Sequence, residues 1–103
     1  MSTYVDCIFF NLTYHILEVK YMHEHTLNSA VVGRVIAEFR NRKGLSQEVV
    51  SGLADIGRTH LSAIEHGKRK PTLETLYSIA CALDVNMSDI IIEIEKEIDS
   101  QNQ

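Results

Sequence analysis

The residues best equipped for chemistry crowd into one segment, GRTHLSAIEHGKRKP, from Gly57 to Pro71. It holds Arg58, Lys68, Arg69 and Lys70 around a single acid, Glu65, in a chain whose net charge is −4. A guanidinium offers a planar fork to paired acceptors and an ammonium offers a point charge, so this density of both suits a polyanion. Charge is also divided along the chain. Residues 34–70 carry eight Lys/Arg against four Asp/Glu, whereas residues 71–103 carry Lys96 alone against seven acids. A basic middle and an acidic tail imply one polyanion-facing surface and one kept away from it. Surface scatter explains the charges equally well, so the elements that carry them must decide.

Other chemistries find no support. His23-Glu24-His25 alternates without a third ligand nearby, which fits a solvated segment better than a metal site. His60 and His66 are six apart and share no helix face. There is no Ser/His/Asp order, no glycine-rich phosphate loop and no Cys/His cluster at metal spacing. No enzyme and no cofactor is expected. Cys7 and Cys81 lie far apart among apolar neighbours; a single disulfide is one reading, and two reduced thiols in a cytoplasmic protein, with Cys81 filling core volume, is the favoured one. No run of eighteen apolar residues occurs, so no membrane partner is expected. The apolar N-terminus lacks a basic leader and a small-residue cleavage site, unlike a signal peptide.

With 103 residues, 45% of them apolar, the chain suffices for one domain with a small core. From Ser29 the signals are helical. Val32, Val35, Ile36 and Phe39 recur at helical spacing, and Gly44 can close that helix in a left-handed cap. Ser46 caps a short helix over about Gln47–Ala54, burying Val50 and Ala54. A second short helix runs from about Arg58 to His66, with Leu61 and Ile64 inward, and stops at Gly67. Pro71 keeps GKRKP out of a helix. Thr72 caps a fourth helix with the stripe Leu73, Leu76, Ile79, Ala80 and Leu83, and Asn86 caps a fifth from about Met87 to Asp99. The expected organisation is an extension over 1–28 and an all-α, five-helix domain over 29–99.

The extension fits two patterns. Ile8, Phe10, Leu12, Tyr14 and Ile16 alternate like a strand; Val5, Ile8, Phe9, Leu12, Ile16 and Val19 fit one face of a helix. The β-branched and aromatic content favours the strand. Met22 stands just before the helical part and offers a second start site.

Two short helices joined by a tight turn form a helix-turn-helix pattern, whose second helix projects into a DNA major groove. Its leading residues here are Arg58 and Thr59, followed a turn later by Ser62 and Ala63. Arg58 can bond guanine O6 and N7 together; Thr59 offers a hydroxyl and a methyl; Ala63 offers only apolar contact. So lean a base-reading set leaves room for recognition of DNA shape.

The segment LSQEVVSGLADIGRTHLSAIEHGKRKP resembles the phage repressor/Cro, or xenobiotic-response-element, family. Gly44-Leu45-Ser46-Gln47, Arg58-Thr59, Leu61-Ser62, Ile64-Glu65, Gly67 and Pro71 match that pattern at fixed spacing, and the likeness runs from about Val31 to Ile92. It implies a lambda-repressor-like fold and roles by position. Gln47 corresponds to a phosphate-anchoring glutamine. Arg58, Thr59 and Ala63 fall at base-contacting positions, His60 and Ser62 at phosphate-contacting ones, and Lys68, Arg69 and Lys70 on a loop that follows the backbone. Glu65 corresponds to a glutamate paired with a first-helix arginine, here Arg40. Asp55 and Gly57 depart from the family's usual turn glycine and side-chain cap, and His60 and Ala63 from its frequent aromatic and polar residues.

Met87, Ile91, Ile94 and Ile98 step by four, three and four along the last helix, the spacing of a two-stranded seam. A homodimer seam is the favoured reading; packing against the chain's own N-terminal segment is the alternative. The function these features imply is a sequence-specific regulator of transcription, of repressor or restriction–modification controller type. It would bind double-stranded DNA as a dimer on a pseudo-palindromic operator. The alternative is an antitoxin or protein-interaction module whose partner is a protein, such as a toxin or RNA polymerase, with DNA binding secondary.

Overall fold

The computed structural model of the protein describes residues 26–101. The strand-or-helix expectation for the N-terminal segment, the His23-Glu24-His25 reading and Cys7 fall outside the described residues. Five helices follow one another: α1 Ser29–Arg42, α2 Gln47–Ala54, α3 Arg58–Glu65, α4 Leu73–Leu83 and α5 Met87–Gln101. No strand occurs among the described residues.

Three of the five helices start on a side-chain cap, and the first four stop at a left-handed residue. Asn28 Oδ1 accepts from the Ala30 N–H at 2.9 Å, Ser46 Oγ from Val49 at 3.1 Å and Thr72 Oγ1 from Thr75 at 3.1 Å. These side-chain oxygens serve donors that a helix start leaves free. α1 to α4 all end in the same crossed pair of backbone bonds, closed by a left-handed residue. That residue is Gly44 (φ 69°), Asp55 (φ 57°), Gly67 (φ 74°) and Asp84 (φ 56°) in turn. Asp tolerates this conformation where most L-residues do not. The next residue folds back with its N–H: Leu45 to Arg40 O, Ile56 to Ser51 O, Lys68 to Ala63 O and Val85 to Ala80 O. Leu45, Ile56 and Val85 tuck against the core. Lys68 is exposed, so the exit of α3 alone turns outward.

Packing follows from the apolar stripes. α1 buries Val31, Val32, Val35, Ile36 and Phe39 against α3 and α5; α2 lies on α3 and α4; α4 meets α5 at 109°. Leu61 and Ile64 of α3, Ile79 and Leu83 of α4, and Ile90 of α5 are fully enclosed. Two glycines allow α1 and α3 to approach backbone to backbone. A Cβ on Gly33 would meet the carbonyl oxygens of Ile64 and Glu65, the latter at 2.7 Å. A Cβ on Gly67 would lie 2.9 Å from Ala30 Cα. Those distances are below van der Waals contact, so both positions exclude side chains.

Five expectations are corrected. Cys81 is exposed and free rather than filling the core. It follows Leu73 and Tyr77 at four-residue steps on the outer face of α4, opposite Ile79 and Leu83. Leu73 is 69% exposed and so leaves the α4 stripe. Ile94 is 3% exposed and sits beside Ile90 in the chain's own core rather than in a seam, because four residues apart on a helix is one face. Asn86 makes no side-chain cap: its backbone carbonyl accepts the Asp89 N–H at 3.0 Å. The last helix also runs two residues further than expected, to Gln101.

Candidate nucleic-acid interface

α3 is short and two-sided. Leu61 and Ile64 face the core, while Arg58 and Thr59 stand in solvent and His60, Ser62 and Ala63 are half-exposed. Gly57, the residue before α3, supplies no side-chain oxygen to the helix start. The N–H groups of the first turn therefore stay open to an outside acceptor, with the positive end of the helix dipole behind them. Gln47, at the start of α2, joins Arg58, Thr59 and Ser62 around one shallow depression. Two helix starts thus converge on one spot, a geometry suited to an anionic oxygen.

The loop after α3 extends that surface. Lys68, Arg69 and Lys70 are all exposed, and neither they nor Arg58 pair with a carboxylate among the described residues. Arg34 and Arg42 differ. Arg34 reaches Glu97 at 2.8 Å, joining α1 to α5; Arg42 lies 3.8 Å from Glu38 and stacks 4.8 Å over the Phe39 ring. Among the described residues the cations left without an ion pair are those of the α3 segment, together with Lys43.

Glu65 is the acid the cationic segment encloses, and it points away from that surface. Its Oε2 accepts from Arg40 Nε at 2.7 Å and its Oε1 from Arg40 Nη2 at 2.8 Å and Gln47 Nε2 at 2.9 Å. Arg40 Nη1 donates to the Leu45 carbonyl at 2.8 Å. The Glu65 side chain is 4% exposed and that of Arg40 14%. Burial by itself would push the Glu65 carboxyl up. The hydrogen bonds from Arg40 and Gln47, with the Arg40 charge, outweigh it and hold the carboxyl below its ordinary value. The Glu65 hydrogen bond raises Arg40 in turn. No buried side-chain polar atom among the described residues lacks a partner. This knot fixes α3 to α1 and to the start of α2, which sets the angle at which α3 projects.

The knot includes one residue whose part the sequence did not disclose. Gln47 spends an amide N–H on Glu65, so its side chain helps hold α3 even though the residue also lines the depression. The signal was the eighteen-residue separation of two polar residues at the starts and ends of neighbouring helices, which only packing joins. His66 is likewise turned back, its Nδ1–H donating to the Ser62 carbonyl at 2.7 Å. Met87, Ile91 and Ile98 are half-buried along the flank of α5, and Ile92 is exposed. Among the described residues no group of three or more His, Cys, Asp or Glu could hold a metal, and no single helix is long and apolar enough to cross a membrane.

The geometry has counterparts in known proteins. The model of the helix-turn-helix family matches residues 36–90. An uncharacterized HTH-type transcriptional regulator of Sinorhizobium fredii is 39% identical over 61 residues, covering 59% of this chain and 79% of that protein. Control protein C.MunI of a Mycoplasma species is 38% identical over 66 residues, covering 63% and 89%. Among solved structures, the restriction–modification controller protein C.AhdI of Aeromonas hydrophila is 29% identical and superposes with a TM-score of 0.60 over 63% of this chain and 98% of its own. The matched span takes in the α2–turn–α3 unit, the Arg40–Glu65 knot and the basic loop, and the chain belongs to the helix-turn-helix family, in its Cro/repressor-like form, a family of DNA-binding transcription regulators.

Proposed function

We propose that the protein regulates transcription by laying α3 in the major groove of double-stranded DNA. The observation that carries this reading is the placement of the unpaired cations. Arg58 at the front of α3 and Lys68, Arg69 and Lys70 just after it are exposed and have no ion pair among the described residues, while the Glu65 side chain between them in sequence is buried against Arg40. Arg58 and Thr59 reach base edges, with Ala63 against a thymine methyl. Gln47, through the backbone at the start of α2, and His60 and Ser62 approach phosphates, and the basic loop follows the strand. Phosphate contacts supply affinity and register; Arg58 supplies most of the base discrimination.

The operator is pseudo-palindromic and the active form a dimer, with recognition helices about 34 Å apart. Its seam is the flank of α5 carrying Met87, Ile91 and Ile98, since Ile94 is committed to the monomer core. Likeness to control proteins favours a controller of restriction–modification type.

Selection of bound sites from random DNA at fixed salt, followed by Arg58→Ala on the selected site, tests the reading. The substitution is expected to weaken binding by about 1–3 kcal/mol and to relax preference at one position. Unchanged affinity and preference would remove Arg58 from the interface.

A further inference from the structure

Beside the DNA-facing surface lies a second concave feature. A groove of about 260 Å³ runs between the start of α1, the Pro71–Leu76 segment and α5. Its apolar walls are Leu27, Val32, Leu73, Leu76, Ile91 and Ile94, and Lys70 and Glu95 also line it. Leu27 and Leu73, at 55% and 69% exposed, are two of the most exposed large apolar side chains described. Covering the exposed Leu27 and Leu73 and the half-buried Ile91 would remove apolar surface from water, which favours an apolar occupant.

Three observations select one. Leu27 is both a wall of the groove and the second described residue, so the 25 residues before Thr26 start from the groove's own lip. Those residues supply the matching chemistry: Val5, Ile8, Phe9, Leu12, Ile16 and Val19 at helix-face spacing, or Ile8, Phe10, Leu12, Tyr14 and Ile16 in alternation. Either pattern offers an apolar ridge. Tethering then decides between this segment and a second copy. A short linker holds its segment at an effective concentration of order 1 mM, well above the micromolar range of ordinary protein solutions.

We propose that residues 1–21 dock in this groove of their own chain. The docked segment covers Leu73 and Ile91. Because Ile91 also belongs to the proposed dimer seam, docking would weaken dimerisation and a chain starting at Met22 would dimerise more readily; this consequence rests on the seam reading, whereas the docking itself does not.

The test is thiol labelling of the full-length chain. In a background with Cys7→Ser and Cys81→Ser, Leu73→Cys reports from the groove and Tyr77→Cys from the next turn of α4, outside it. At an effective concentration of about 1 mM, docking with a constant near 0.1 mM leaves about a tenth of the grooves open. A maleimide should therefore modify Leu73→Cys about tenfold more slowly than the same chain carrying Phe9→Asp and Ile16→Asp, with the ratio unchanged on dilution. Labelling of Tyr77→Cys should not respond to those two changes. Equal rates with and without them would overturn the proposal. So would protection that disappears on dilution, which would assign the groove to a second copy. Circular dichroism of each variant guards against loss of fold.

Discussion

Arg40→Met removes one side of the knot that orients α3 and leaves the other side in place. An exposed ion pair contributes about 0–1 kcal/mol, whereas stranding one partner of a buried pair costs about 3–5 kcal/mol. At 4% and 14% exposed, Glu65 and Arg40 lie near the buried limit. Met keeps much of the packing volume, and Gln47 Nε2 remains on Glu65 Oε1 at 2.9 Å, so the lower end, about 3 kcal/mol, is expected at neutral pH. Urea unfolding reads it: with a slope of about 1–3 kcal/mol per molar, the midpoint falls by about 1–3 M. The pH dependence has a definite sign. In the native protein the Glu65 carboxyl is held below its ordinary value, so its stabilisation is present above the unfolded pKa and lost as pH falls through the folded one. Without Arg40, burial acts with less opposition and moves the carboxyl up. The variant then regains stability on acidification, and the gap to the native protein narrows between neutral pH and about pH 4. Adding Glu65→Gln should recover most of the loss at neutral pH. A loss of about 0.5 kcal/mol or less, or one that does not vary with pH, would refute the claim that this pair is buried and coupled.

Lys68→Ala and Lys70→Ala should weaken binding to all DNA alike and flatten the salt dependence by about one unit each, measured by fluorescence titration across salt; a change in base preference instead would place the loop at base edges. Gly33→Ala should destabilise the fold by about 1–3 kcal/mol through its clash with the α3 carbonyls, whereas Gly52→Ala, which meets open space, should stabilise it by about 0.5–1 kcal/mol. Thermal unfolding separates the two, and equal effects would contradict the close approach of α1 and α3. Ile98→Asp should shift sedimentation toward monomer while Ile94→Asp should disrupt folding itself; a folded monomer from the latter would return Ile94 to the seam.

Much of this molecule could be read along the chain, because its signals are local. Ser46 and Thr72 cap helices through side chains three residues from their donors, and Gly44, Asp55 and Gly67 stop helices through their own φ. Leu61 and Ile64, three apart on one turn, specify the inner face of α3 and leave Arg58 and Thr59 outside. The matching spacing over Gly44–Pro71 extended this to the family, and through it to the Arg40–Glu65 pair.

Tertiary structure decided what depends on residues distant in sequence. Cys81 and Leu73 looked like core residues because apolar periodicity on α4 does not say how wide a stripe its neighbours cover; packing on α2 and α5 covered Leu76, Ile79, Ala80 and Leu83 and stopped there. Ile94 had the spacing of a seam, but the turn of α5 back across α1 brought it into the core beside Ile90. Gln47 reached Glu65, and Leu27 came to line a groove with Leu73 and Ile91, only when helices far apart in the chain were laid together. Periodicity determines which face a helix hides; the depth of that face, and what the exposed remainder meets, is set by the shapes of the elements that close over it.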